Sequence, residues 1–346
     1  MKANHKATTI IDVAKAAEVS VSTVSRVMND YPHVRSELRL RVQKAMEELD
    51  FVPNRQARRL VGSRSGVIGL MVHALGTEYI AQVTRGIDEA LFTADYDLML
   101  YTTHRHPEKE ISIARSIATG LADGLLIVVP SVGDAYLDTL RSAEFPHVLV
   151  DVDTDDHKSW SVGSANWQGA YDATTYLLGL NHRRIGMITD QPGLSVSERR
   201  LEGYKAALKT HGVDFDPALI QRDNYMSPYT GRLVEALLAL DDPPTAFFTT
   251  GDAAALQVME TLRLKNIRVP QDISVVGFDD ISQASTVSPS LTTVCHPMYE
   301  MGKVAVEILL EQIEQPGLPP KHIQLETGLI IRESCSPRSA VENSEG

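Results

Sequence analysis

EVSVSTVSRVMND, residues 18–30, decides how the N-terminal region is read. It contains no glycine or proline, so nothing in it breaks a helix. Val24, Val27 and Met28 recur at i, i+3 and i+4 and mark one apolar face. Ser22, Arg26 and Asn29 stand at i, i+4 and i+7 on the other face, with Val21 and Ser25 beside them. A soluble enzyme usually turns Glu and Lys outward on such a helix. Short polar side chains with one arginine suit a helix that must approach the floor of a DNA major groove. Short side chains permit close approach, and an arginine reads guanine through O6 and N7.

The flanking residues extend this pattern. Thr9 is placed to cap a helix from Ile10, with Asp12 in its first turn and Ile11, Val13, Ala14 and Ala17 as apolar positions. Glu18-Val19 makes a short turn, and Ser20 caps a second helix reaching about Asn29. A third helix is expected near Ser36, with Leu38, Val42, Ala45, Met46 and Leu49 facing inward. Three short helices, the first two joined tightly, form a helix-turn-helix unit. The alternative is a plain three-helix cap with a solvated serine face.

FVPNRQARRLVGSRSG, residues 51–66, follows. Pro53 bars helix immediately before it, Asn54 is a good N-cap, and Gly62 ends what is at most two turns. That segment carries Arg55, Arg58 and Arg59 beside an apolar stripe of Ala57, Leu60 and Val61. A short basic helix with a protruding leucine suits insertion into a minor groove as an unstacking wedge. A linker that packs on the body is the other reading.

Charge agrees with a nucleic-acid-binding head. The net charge is −12, but residues 1–66 hold 12 Lys and Arg against 7 Asp and Glu, and the other 280 residues hold 21 against 38. A basic head on an acidic body is the asymmetry of a small DNA-binding module joined to something else. The length, 346 residues, allows two or three domains. No apolar run reaches 18–20 residues and the N-terminus lacks a signal-peptide core, so a cytoplasmic protein is expected. Cys295 and Cys335 have no metal-type spacing, so neither a zinc site nor a disulfide is expected. His104 and His106 form an H-x-H without a nearby third ligand and read as surface histidines. No metal or cofactor is expected.

From Gly66 the chain alternates strand and helix. Continuous apolar runs at 67–72, 97–103, 124–129 and 147–152, then at 184–190, 246–250 and 273–280, read as buried parallel strands. The segments around 80–91, 167–180, 198–211, 228–240, 252–265 and 300–313 read as helices. This is two doubly wound α/β units. No GxGxxG follows the first strand and no phosphate-binding GxxxxGK[ST] occurs. Ligands in such sheets bind at the carboxyl ends of strands, which selects Asp151, Asp190 and Asp279.

TIIDVAKAAEVSVSTVSRVMND, with VRSELRLRVQKAMEELDFVPNRQARRL after it, resembles the DNA-binding head of the lactose-repressor (LacI/GalR) family. The motifs D-V-A, V-S-x-x-T-V-S-R-V-x-N and P-N-x-x-A-R-x-L occur in order at the family's spacings, and the resemblance runs to about Arg332. It implies a helix-turn-helix head, a hinge helix and a two-lobed periplasmic-binding-protein-like core. It implies that Val21 and Ser22 set operator choice and that Arg26 contacts a base. Thr23, Ser25 and Asn29 would hold phosphates. Leu60, beside Ala57, would be the hinge leucine levered into the minor groove, in a helix that Asn54 caps and to which Arg58 adds charge. Two hinge helices pairing in a homodimer would require a near-palindromic operator.

For the core, the resemblance places Arg200 in ERRLEGY and Asp279 in VGFDD at effector-contacting positions, with Asp151 a third candidate. Tyr79, Trp160, Tyr225 and Met298 are candidate apolar or stacking walls. Two departures stand out. Relatives usually carry Asn-Asp where this chain has Gly251-Asp252, and Asp-Asn where it has Ala165-Asn166. The expected domains are a head at 1–52, a hinge and linker at 53–65, a core at 66–332 and a tail at 333–346. Within the core, one lobe takes 66–163 and 297–323, and the other 164–296 and 324–332. The expected function is a non-enzymatic, effector-controlled transcription regulator, a repressor rather than an activator, binding operator DNA and no membrane. Carboxylates opposite an arginine suit a sugar or sugar derivative. A purine-responsive regulator, a solute-binding protein and a sugar-acting enzyme are the alternatives.

Overall fold

The computed structural model describes residues 8–28, 31, 33–51, 64–130, 135–153, 158–190, 192–223 and 230–338. Its contacts divide the chain into two units, Met1–Ser65 and Gly66–Gly346.

In the first unit α1 (Ile10–Ala16), α2 (Val21–Met28) and α3 (Ser36–Glu48) close around Val13, Val24, Val27 and Val42. Thr9 and Asp12 form a reciprocal capping box at the start of α1, the Thr9 amide donating to the Asp12 carboxylate at 2.8 Å. Satisfying two open donors matters in a helix of seven residues, too short to persist alone. Arg41 of α3 donates to the Ala17 carbonyl at 2.5 Å, closing the other end of α1. Glu18 turns the chain at φ 50°, and Ser20 Oγ accepts the Thr23 amide at 3.2 Å to begin α2. Ile11, expected in the inner stripe, is instead 64% exposed, and Ile10 packs on the core. The stripe at i, i+3, i+4 and i+7 runs through 10, 13, 14 and 17, which leaves position 11 outside it.

The second unit holds two six-stranded sheets. β1 (Val67–Val72), β2 (Asp97–Thr102), β3 (Gly124–Val128), β4 (His147–Val150), β5 (Trp160–Ser164) and β11 (His322–Leu325) form the first, ordered β11-β5-β4-β3-β1-β2. β6 (Ile185–Asp190), β7 (Ile220–Asp223), β8 (Ala246–Thr249), β9 (Ser274–Asp279), β10 (Thr292–Cys295) and β12 (Gly328–Ile330) form the second, ordered β12-β10-β9-β8-β6-β7. The strands pair in parallel except β10 with β12. Each sheet is covered on both faces, which is why its inner strands are continuous apolar runs. α4 (Glu78–Thr93), α5 (Pro107–Ser116), α6 (Ala135–Ser142) and α12 (Met298–Glu314) belong to the first lobe. α7 (Asn166–Gly179), α8 (Ser195–Thr210), α9 (Thr230–Leu238), α10 (Asp252–Leu264) and the short α11 (Ser282–Thr286) belong to the second.

The expected strands are present, trimmed at their ends. The run expected at 147–152 stops at Val150 because Asp151 takes φ 56°, which no strand accommodates. β5 and β7 carry no continuous apolar run, and the sequence pattern gave no sign of either. The lobe boundary expected at 323/324 falls inside β11, which stays with the first sheet through Leu325. The tail expected from 333 begins as packed structure: Ser334 Oγ donates to the Val275 carbonyl at 2.6 Å, and Ser336 accepts from His182.

Both sheets follow the order 2-1-3-4-5 with an added strand, so each has one point where the order reverses: β1/β3 in the first and β6/β8 in the second. The crevice outside the strand ends at such a point is where open α/β sheets take ligands. α4 and α12 sit close enough that a Cβ on Gly86 would lie 2.0 Å from the Tyr299 carbonyl oxygen. Gly86→Ala is therefore expected to destabilise the body by about 1–3 kcal/mol, despite alanine's better helix propensity. Urea unfolding checks this, and an unchanged midpoint would contradict the tight crossing.

Candidate functional site

The strand ends at both reversal points converge on one cleft. From the first lobe come His73 after β1, Val129 after β3 and Asp151 after β4. From the second come Asp190 ending β6, Thr250 after β8 and Asp279 ending β9. Tyr79 of α4, Arg105 ahead of α5, and Leu194, Val196, Ser197 and Arg200 at the start of α8 complete the lining. Val129, Asp151 and Asp279 have φ of 49°, 56° and 118°. Such backbone costs about 1–3 kcal/mol per residue and persists only where the surroundings enforce it. Arg105, at φ 57°, is a fourth such residue in the lining.

The electrostatics are those of a buried, compensated cluster. His296, 3% exposed, follows β10 and sits between two carboxylates. Its Nε2 is 3.4 Å from Asp151 Oδ1 and its Nδ1 is 3.3 Å from Asp279 Oδ1. The Tyr79 hydroxyl donates to the other Asp151 oxygen at 2.7 Å, and its ring stacks on the His296 ring at 5.8 Å. Arg200, 5% exposed, donates to Asn166 Oδ1 at 2.7 Å and to the Thr250 carbonyl at 2.5 Å. It lies 3.7 Å over the Phe278 ring and 3.9 Å from Asp279. Ser197 donates to Asp190 at 2.6 Å.

These contacts set the protonation states. Burial pushes the Asp151 carboxyl up, but His296, then Arg200 and Tyr79, pull it below its ordinary value. Burial alone would strip the His296 proton; Asp151 and Asp279 outweigh it and hold the imidazole above its ordinary value. Burial raises Asp190, with Ser197 and Arg200 opposing. Burial, then Arg105, lowers His73 to about 4, so it is neutral at pH 7. Beneath the cleft the fully buried Asp252 accepts from Thr293 Oγ1 at 2.6 Å and from the Ile281 amide at 2.9 Å. Burial and the nearby Asp279 raise it well above the carboxylate range.

The structure thus brings Tyr79, Asp151, Arg200 and Asp279 together. It does not bring Trp160 or Met298 there. Trp160 begins β5, opposite Val148, at the amino end of the strand, and is packed in the core. Met298 begins α12 and is packed in the same core. Tyr225 lies outside the described residues. Sequence reading missed His296, Arg105 and His73. The rule that strand ends carry ligands was available for all three, but Arg105 was hidden inside the H-x-H. Those two histidines, His104 and His106, are exposed. Next to the two departures, Asn166 and the Thr250 carbonyl both accept from Arg200.

In the head, Val21, Ser22 and Arg26 are exposed on α2, Thr23 and Ser25 are half-buried, and Val24 and Val27 are buried. Arg26 lies 5.9 Å over the Tyr31 ring. Asn29, Asn54, Ala57, Arg58 and Leu60 lie outside the described residues. Among the described residues no helix is long and apolar enough to cross a membrane.

Tyr79→Phe removes the hydroxyl that holds Asp151. At pH 7 it is expected to cost about 1.5–3 kcal/mol, the worth of a hydrogen bond to a charged group. The Asp151 pKa is depressed on folding, so its contribution is fully present above its unfolded value and is lost as pH falls through the folded one. The deficit should hold from pH 5 to 7 and narrow in acid. Equal unfolding midpoints at pH 7 would contradict this.

Residues 9–54 match the family described as bacterial regulatory proteins, lacI family, and residues 174–335 match the periplasmic binding protein-like domain. The chain is 32% identical over 333 residues to the HTH-type transcriptional repressor PurR of Aliivibrio fischeri, covering 95% of this chain and 99% of the relative. It is 32% identical over 330 residues to the ribose operon repressor of Haemophilus influenzae, covering 94% and 98%. Among solved structures it is similar to the lac repressor dimer bound to operator and the anti-inducer ONPF, with TM-score 0.86, 25% identity, and 96% and 100% coverage. It is also similar to a transcriptional regulator CelR–cellobiose complex, with TM-score 0.74, 28% identity, and 94% and 99% coverage. A helix-turn-helix head whose second helix has a short polar face, two facing α/β lobes and these likenesses over nearly the whole chain have one meaning: the chain belongs to the lacI family of bacterial regulatory proteins and is a DNA-binding transcriptional regulator.

Proposed function

We propose that the protein is a cytoplasmic repressor that binds a near-palindromic operator as a homodimer and is controlled by a sugar or sugar derivative held in the cleft. The observation that carries the ligand class is the lining itself. Asp190 and Asp279 offer acceptors to hydroxyls, while Arg105 and Arg200 offer donors, from both lobes at once. Among the described residues Tyr79 is the only Phe, Tyr or Trp that lines the cleft, and one face of its ring is taken by His296, so no pair of aromatic faces is there to sandwich a purine. The ribose operon repressor and the cellobiose complex among the relatives point the same way.

On this reading Val21, Ser22 and Arg26 read bases, and Thr23, Ser25 and Asn29 hold phosphates. The hinge residues Asn54, Ala57, Arg58 and Leu60 work in the minor groove. The head occupies 1–52, the hinge 53–65 and the core the rest. Ligand closing the lobes on one another would bias the hinge, a segment too short to hold a helix alone. Coupling between such sites is about 1–3 kcal/mol.

Two experiments test the reading. A thermal-shift panel of mono- and disaccharides, sugar phosphates, nucleosides and purine bases should give a sugar hit. At 100 times the dissociation constant the stabilisation is about 2.7 kcal/mol, and Asp190→Asn should diminish it. A purine hit would overturn the ligand class, and no hit would overturn the cleft as a small-molecule site. Arg26→Ala should cost about 1–3 kcal/mol of operator affinity and relax the preference at one base pair per half-site. Uniform weakening across all sequences would instead make Arg26 a phosphate contact.

A further inference from the structure

His296 is the titratable group on which the two lobes meet. It lies between the end of β10 in the second sheet and the start of α12, which packs on the first. One ring nitrogen faces a first-lobe carboxylate, Asp151, and the other a second-lobe carboxylate, Asp279. Both are acceptors only. Nδ1 hydrogen-bonds Asp279, while Nε2 and Asp151 Oδ1 meet at 3.4 Å as an ion pair without a hydrogen bond; a neutral ring has one N–H for two facing carboxylates, and only the doubly protonated ring presents a proton to each. The ring is held in place by the Tyr79 face at 5.8 Å and by the edge-on Phe278 ring at 5.8 Å.

We infer that His296 is the positioning residue of the cleft: it ties Asp151 of one lobe to Asp279 of the other, and the proton it carries between them links the closed, ligand-binding arrangement to pH. The ligand part of this inference rests on the cleft being the effector site; the bridge itself does not.

The groups facing the ring are Asp151 after β4, Asp279 of β9, Arg200 of α8 and Tyr79 of α4. The two carboxylates favour the charged ring. Burial and Arg200 oppose it, and the carboxylates prevail. A histidine with a raised folded value stabilises the folded body, with the lobes bridged, fully below its unfolded value near 6.5 and loses that contribution as pH rises through the folded one. Without the proton, two carboxylates from opposite lobes would face a neutral ring, and one of them would meet a lone pair.

The test is a pH titration of the full-length protein with 13C-labelled histidine, following the ring carbons by NMR. His296→Gln assigns the resonance by its loss; His296→Asn serves should the glutamine variant not fold. The result expected is an imidazolium signal that persists above pH 6.5, with a midpoint that drops in Asp151→Asn and again in Asp279→Asn. A His296 signal that titrates below 6.5, or that ignores both aspartates, would overturn the bridge. A second readout excludes a merely structural role. The melting temperature of the wild type should fall by roughly 2–4 °C between pH 6.5 and 9 relative to His296→Gln, whose side chain does not titrate. Parallel profiles would overturn the linkage.

The ligand arm repeats the sugar panel on both proteins at pH 6.5 and pH 9. Weaker shifts at pH 9 in the wild type alone support the linkage, and equal shifts overturn it. A panel with no hit, beside a His296 that titrates high, would sink the effector reading and leave the bridge standing.

Discussion

Charge removed from water is the constraint on which the body of this protein depends. Asp151, His296, Asp279 and Arg200 are each no more than 7% exposed. Taking any one of them out of water alone would be prohibitive, and breaking such a buried set by deleting one member costs about 3–5 kcal/mol. Each is tolerable only because the others are there. Asp151 belongs to one lobe, Asp279 and Arg200 to the other, and His296 to the chain passing between them. Opening the cleft would therefore separate compensated charges and return them to water. A ligand that offers hydroxyls between the lobes acts on that same balance, which makes the cleft suited to hold two arrangements of similar free energy.

The topology explains why the charges meet there. Two sheets with the same strand order, set with their carboxyl ends facing, bring both reversal points to one crevice. At the strand ends Val129 and Asp151 each donate one last backbone hydrogen bond to the neighbouring strand, and with Asp279, the final residue of β9, they take the positive φ that turns the chain into the cleft. Close helix crossings, such as Gly86 against Tyr299, keep the covering layers rigid behind the cleft. Rigid lobes transmit a change of angle; loosely packed ones would absorb it.

Much of this was legible in the sequence, for identifiable reasons. Runs such as VIGLMV and GLLIVV read as buried parallel strands because both faces are covered, and α2 announced its function by what its outer face lacked. Arg200 and Asp279, which line the cleft, stand in recognisable motifs. His296 was not legible, because its meaning comes from two carboxylates that the fold, not the local chain, places beside it. Trp160 and Met298 were misread for a related reason. An aromatic or flexible apolar side chain can be a wall or a core filler, and only strand direction decides. Trp160 begins β5, so it sits at the wrong end of its strand to reach a ligand. The strain at Val129 was also invisible, since a β-branched residue rarely takes a positive φ.

The head and body carry opposite charge balances and separate cores, so control of the one by the other must be a coupling free energy between two sites. Such coupling is reciprocal. The most direct measurement is the dissociation constant of the cleft ligand for the full-length protein, determined free and again saturated with operator duplex, beside the operator's constant with and without ligand. The account predicts that the two ratios are equal and lie between about 5- and 150-fold. A ligand that binds the cleft with the same affinity whether or not operator is present would contradict it.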